Sequence, residues 1–202
     1  AASNSTTDVT FESELEQGPA FSETLPETPR LDVPIRESGQ VWQPPVTYGK
    51  PDEWPMYRRD VTRSGSSPCT ISGTLKRVWQ AELGSDLTAV TAADDRMFVC
   101  SKAEQILYCL DAASGETIWQ LATPGKVDSP PTIVNGHCVF GSVDGSVYWV
   151  RASDGVLRWR FRIGTDERRT VVDDRLESVW PIHGSVLVLH DTVYFAAGRS
   201  SH

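Results

Sequence analysis

The chain holds 202 residues, with 19 Lys and Arg against 27 Asp and Glu, a net charge of −8, and seven tryptophans. That length suffices for one domain with a real core, or for a domain plus a tail. The acidic balance argues against the basic face that nucleic acids and anionic membrane surfaces require, and no stretch nears the ~18 consecutive apolar residues of a membrane span.

Residues 1–50 carry six of the thirteen prolines and eight acidic residues against three basic ones, with no apolar periodicity. Such sequence cannot bury enough surface to offset its conformational entropy. It reads as a disordered or extended linker, although Val41-Trp42-Gln43 and Val46-Thr47-Tyr48 would also suit a strap laid on the domain. The opening AASNSTTD has neither a basic region nor an apolar core, so no signal peptide is visible in it. Asn4-Ser5-Thr6 fits the glycosylation acceptor pattern.

From Trp54 onward the texture changes. Segments 96–101, 106–111, 116–122, 131–136, 137–142, 146–152 and 156–163 are rich in Val, Ile, Tyr, Phe and Trp, and each predicts a strand. Ser114-Gly115, Asn135-Gly136, Asp144-Gly145 and Asp154-Gly155 punctuate them with turn chemistry. No long window holds a capped helical period, so the chain reads as all-β.

Trp79, Trp119 and Trp159 stand forty residues apart. The text around them repeats as well: LYCLDAASGETIW (107–119) lies over VYWVRASDGVLRW (147–159) without a gap, and a third copy begins in SVLVLHDTVYFAAGRS (185–200). A period of ~40 with four short strands per unit predicts a β-propeller, because one blade has two apolar faces that only neighbouring blades can cover. The expected architecture is a partial β-propeller of four-stranded antiparallel blades over 51–202. A seven- or eight-bladed ring needs about 280–320 residues, so three units predict a fragment or truncated product whose uncovered faces and edges invite association.

The two eleven-residue stretches 109–119 and 149–159 resemble the tryptophan-docking motif of pyrroloquinoline-quinone (PQQ)-type propeller repeats. Asp111, Ser114, Gly115 and Trp119 match it in the first copy, and Gly155 and Trp159 in the second. The second copy departs with Trp149 at the small position, Arg151 for Asp and Asp154 for Thr or Ser. EWPMYRRDVTRSG (53–65) resembles the opening segment of such propellers, and SVWPIHGSVLV and VYFAAGRSS are similar to segments of the BamB-like members of this superfamily. The resemblance implies that each indole packs on the glycine of the neighbouring motif. It also implies a non-catalytic module for protein–protein interaction or envelope scaffolding, located in the periplasm or otherwise outside the cytoplasm. The alternative it leaves open is part of a PQQ-dependent dehydrogenase-like or ligand-sensing propeller.

The residues offer no catalytic, cofactor or metal site. The quinoprotein dehydrogenases carry adjacent cysteines, and here Cys69, Cys100, Cys109 and Cys138 are dispersed. Cys100 and Cys109 flank a predicted hairpin, where a disulfide and a pair of buried thiols both remain open. His137 and Cys138 alternate across a strand, and His183 and His190 lack zincin spacing. Asp111 is expected to serve its own turn. Segment 164–180 makes the third unit about fourteen residues longer and is dense in charge. It reads either as a solvated loop or as a partner-binding loop using Arg168, Arg169 and Arg175 against a carboxylate or glycan.

Overall fold

The computed structural model describes residues 50–71, 73–163, 168–189 and 192–199. The segment read as a linker, with its two strap candidates, lies outside the described residues apart from Lys50. Strands β1 (Thr91–Ala93), β2 (Arg96–Ser101), β3 (Ile106–Asp111) and β4 (Thr117–Ala122) form one antiparallel four-stranded sheet in chain order. A second sheet of the same order comprises β5 (Thr132–Val134), β6 (His137–Gly141), β7 (Ser146–Arg151) and β8 (Leu157–Arg162). Two further pairs follow, β9 (Arg169–Val172) with β10 (Arg175–Ser178), and β11 (Leu187–Leu189) with β12 (Thr192–Tyr194). No helix occurs among the described residues. The chain is all-β, built as part of a propeller.

Turn chemistry closes these hairpins. Two-residue loops need positive φ at both central positions to match strand twist. Asn135-Gly136 supplies this between β5 and β6, at φ 48° and 71°. Asp94-Asp95 and Asp173-Asp174 do the same without glycine, since short polar side chains tolerate the left-handed region. Strand β1 has no sequence signal, because Thr91-Ala92-Ala93 carries no Val, Ile or aromatic residue, unlike the equally short Thr132-Ile133-Val134 of β5.

Strands β2, β3, β6 and β7 are buried on both sides, and the sides face different layers. Phe98, Cys100, Leu107 and Cys109 of the first sheet pack against Cys138, Phe140, Tyr148 and Val150 of the second. The opposite face of the first sheet, with Val99, Tyr108 and Leu110, is covered by Trp79, Ala81 and Leu83. The opposite face of the second, with Val139 and Val147, packs on Ile182, Val186 and Val188. The opening segment ties the layers at one end: Trp54 bridges Ala92, and Ile133 N–H donates to the Pro55 carbonyl at 2.6 Å.

Cys100 and Cys109 are not joined; all four cysteines are free thiols. Register pairs Cys100 with Leu107 and Cys109 with Phe98. The two thiols are therefore diagonal neighbours, a separation of about 7–8 Å that exceeds ordinary disulfide reach. Burial pushes both thiols up to about 12.

The tryptophans connect the layers. The Trp79 indole lies over Gly115, where a Cβ would come within 2.4 Å of the ring, and Trp119 lies over Gly155, where it would come within 2.8 Å. Trp79 Nε1 donates to the Ala112 carbonyl and Trp119 Nε1 to the Ala152 carbonyl, each at 3.0 Å. The acceptors are held in turn: Ala112 N–H donates to the Asp95 carbonyl and Ala152 N–H to that of Gly136. Both glycines have positive φ, 76° and 75°, so a side chain there meets strain as well as the ring.

The two turns reach one geometry by different chemistry. Asp111 Oδ1 accepts from Ala113 N–H, Ser114 N–H and Ser114 Oγ at 2.7–3.0 Å. In the second turn Arg151 replaces the aspartate and Asp154 the serine, and Arg151 Nε donates to Asp154 Oδ1 at 2.7 Å. The backbone closes alike, Gly115 N–H to the Asp111 carbonyl and Gly155 N–H to that of Arg151, both at 2.9 Å. Trp149 at the small position stacks on Trp159 at 5.3 Å, where Cys109 sits opposite Trp119.

Three outcomes follow from these contacts. Trp119→Ala should cost about 3–5 kcal/mol of stability, and Gly155→Ala should also destabilise. The double variant should lose clearly less than the sum in denaturant titrations, because its two positions share one contact. Asp154→Ser should lower Tm by stranding Arg151, and adding Arg151→Asp should restore it by rebuilding the first turn's chemistry; a further drop would show that the turns are not interchangeable. Burial alone would raise the Asp60 carboxyl, but hydrogen bonds from Ser64 and Thr62 hold it at about 2. Its contribution is therefore present above about pH 4 and is lost as pH falls towards about 2. The stability gap between parent and Asp60→Asn should close over that window in thermal melts.

Candidate functional site

The extra residues of the third unit form a hairpin. Strand β11 begins fifty-five residues after β5, whereas β5 begins forty-one after β1. The excess folds as β9 and β10, paired from Arg169↔Ser178 to Val172↔Arg175 around the Asp173-Asp174 turn. The loop read from the sequence is thus a two-stranded extension, missed because its strands are short, polar and joined without glycine.

The hairpin is rooted by its second strand. Ser178 N–H donates to the Val143 carbonyl at 2.9 Å, and Ile182 N–H to that of Ser142 at 3.1 Å. Glu177 is 3% exposed and pairs with Arg199, with Lys126 Nζ 4.0 Å from its other oxygen. A buried carboxylate is tolerable only when paired in this way. Lys126 also lies 3.2 Å from Asp128, whose other oxygen takes His183 Nδ1 at 2.7 Å. The network joins the hairpin, the segment preceding β5 and the segments on either side of β11–β12. Its members are scattered in sequence, and nothing local marks them.

The three arginines read as a partner contact take different places. Arg175 donates to the Lys102 and Ala103 carbonyls at 3.2 and 3.5 Å, reaching the β2–β3 turn of the first sheet. It clasps the chain's own backbone. Arg168 and Arg169 stand at the exposed root of β9. They line a cleft of about 80 Å³ with Arg160, Arg162, Asp144 and Ser178. Arg160 and Arg162 were not singled out in the sequence; the alternation in LRWRFR was the available signal. Asp144 Oδ1 accepts from Ser146 N–H at 2.9 Å, and its other oxygen takes the Tyr148 hydroxyl. Beyond the cleft, the hairpin presents Val171 and Leu176, 67% and 63% exposed.

The docking residues Asp111, Ser114, Gly115, Trp119, Gly155 and Trp159 lie in the turns and outer strands of the two sheets and do not line this cleft. Hydrogen bonds from Ser114 hold the Asp111 carboxyl below its usual range, outweighing the upward push of burial. Among the described residues, no group of three His, Cys, Asp or Glu is placed to hold a metal ion. No helix there is long and apolar enough to cross a membrane.

The model of one protein family, described as outer membrane protein assembly factor BamB, matches residues 72–200. The chain is similar to the BamB of Burkholderia pseudomallei strain K96243, 27% identical over 99 residues, which is 49% of this chain and 26% of that protein. It is also similar to the BamB of Yersinia pestis, 24% identical over 115 residues, 51% of this chain and 29% of that protein. Among solved structures, a quinohemoprotein alcohol dehydrogenase from Pseudomonas putida HK5 superposes with a TM-score of 0.62 at 21% identity, over 74% of this chain and 23% of that one. At that identity the likeness establishes the fold alone. The matched regions span little more than a quarter of the length of these assembly factors. Forty-residue sheets, a BamB-type match over most of the chain and a propeller superposition agree: the chain belongs to the outer membrane protein assembly factor BamB family of PQQ-like β-propeller repeats.

Proposed function

We propose that this chain is a non-catalytic propeller module that binds a protein partner in the cell envelope, outside the cytoplasm. The β9–β10 hairpin is its contact surface, with Arg168 and Arg169 at its root. The observation that carries this reading is that the hairpin departs from a repeat which folds without it, yet is firmly rooted through Glu177 and Ser178. An extension held this rigidly, with Val171 and Leu176 turned to solvent, suits docking better than a solvated loop does. The relatives named as assembly factors of the outer membrane support the envelope setting. The arginine-lined cleft is several-fold smaller than the about 300 Å³ at which small-molecule sites begin, which speaks against a tricyclic quinone there.

Site-specific photo-crosslinking in cells, using the full-length protein, tests the reading. A photoreactive side chain at Val171 or Leu176 should capture one envelope protein, and the same group at Ile118 or Leu157, also exposed but on the outer strands, should not. Equal capture from all four positions would overturn it. So would a quinone chromophore bound stoichiometrically when PQQ and Ca²⁺ are added to the full-length protein.

A further inference from the structure

The arginines of β8 have no counterpart in the first sheet. Strands β4 and β8 occupy equivalent places: Tyr108 pairs with Gln120 where Tyr148 pairs with Arg160, and Ile106 with Ala122 where Ser146 pairs with Arg162. Ile118 likewise stands where Arg158 does. The first sheet therefore builds the same strand with a neutral edge, and the fold does not require the basic row. Strand alternation puts Arg160 and Arg162 on one side of β8 and Trp159 and Phe161 on the other, while Arg158 falls at the bulge opposite Trp149 and Val150.

The hairpin then adds Arg168 and Arg169 beside the far end of that row. The result is four guanidinium groups around one cleft in a chain of net charge −8. Asp144, the carboxylate among the described lining residues, has both oxygens turned to its own strand, towards Ser146 and Tyr148. Arg160 hydrogen-bonds the Tyr148 hydroxyl, which fixes its position, and Arg162 and Arg168 each interact further within the chain. Held guanidinium groups are preorganised for oxyanions, which they bind with paired, charge-assisted N–H donors. A volume of about 80 Å³ is far below the about 300 Å³ at which small-molecule sites begin, and suits the head of a side chain rather than a whole small molecule.

We propose that this cleft is a carboxylate site that takes an Asp or Glu side chain from an acidic segment of the protein partner. The proposal rests on the protein-binding reading above and supplies it with a ligand chemistry. Guanidinium groups from a sheet and from its extension converge on one point, so the cleft exists only when the hairpin is seated.

Calorimetric titration of the folded chain in phosphate-free buffer tests it, with acetyl-tetraglutamate amide, acetyl-tetraglutamine amide and sodium sulfate as probes. The glutamate peptide should bind and the glutamine peptide should not. Arg162→Gln with Arg169→Gln should weaken binding on the order of tenfold or more, as loss of charge-assisted hydrogen bonds does. Arg158→Gln, set against Arg169→Gln alone, removes equal charge outside the cleft and should change affinity less than about twofold. Arg169→Lys keeps the charge without the fork and should weaken binding measurably. Thermal melts of each variant confirm that loss of binding is not loss of fold. Equal weakening by Arg158→Gln would reduce the effect to net charge and overturn the site, and sulfate binding as tightly as the glutamate peptide would make it a small-anion site and overturn the partner assignment. Absence of peptide binding while the Val171 and Leu176 crosslinks persist would remove the cleft and leave the docking surface standing.

Discussion

Everything in this fold depends on an indole laid over a glycine peptide. A single four-stranded sheet here has no inside: Phe98 and Val99 are neighbours on one strand and both are buried, on opposite sides. Such a sheet gains stability only from what covers it. The Trp79–Gly115 and Trp119–Gly155 contacts fix how that cover sits. Each combines ring burial with one hydrogen bond to an alanine carbonyl that is itself tethered, and both bonds span thirty-three residues. Forty-residue spacing is the signature of that constraint. The extra hairpin lies after Trp159, outside both of these spans.

The same logic explains which features were legible from the residues. Strands β2, β3, β4, β6, β7 and β8 were visible because they are long enough to alternate and end in turn chemistry. The indole–glycine contact was visible because it repeats. The second turn was legible only as a degraded copy: its aspartate and serine are gone, yet Arg151 and Asp154 restore the tie with the polarity of the hydrogen bond reversed. A pattern written in residue types cannot show that, since the conserved quantity is a donor facing an acceptor. The residue types leave the state of Cys100 and Cys109 open for a related reason. They lie close in sequence across a hairpin, but register separates them by two positions.

The hairpin and its cleft were least legible. Charge density pointed to 164–180, but strands of four residues joined by Asp-Asp gave no strand signal. Arg175 was grouped with Arg168 and Arg169 by proximity, although its side chain turns back to the first sheet. Arg160 and Arg162 carry no local mark beyond the alternation of their strand. What distinguishes them is comparison with Gln120 and Ala122 at equivalent places, together with convergence on residues from another element. Function here is sought where the molecule departs from its own repeat, because the repeated part is already explained by packing.

The indole–glycine contact also has a direction. One sheet offers the ring and the next offers the glycine and the carbonyl, so the surfaces that meet are never the same surface. Trp159 extends the series with a ring stacked on Trp149. Units joined in this way are related by a head-to-tail step rather than a two-fold axis. Any further unit, whether added by duplication or supplied by another chain, is therefore recognised by the acceptor it presents, a glycine with positive φ and a free-facing carbonyl three residues before it.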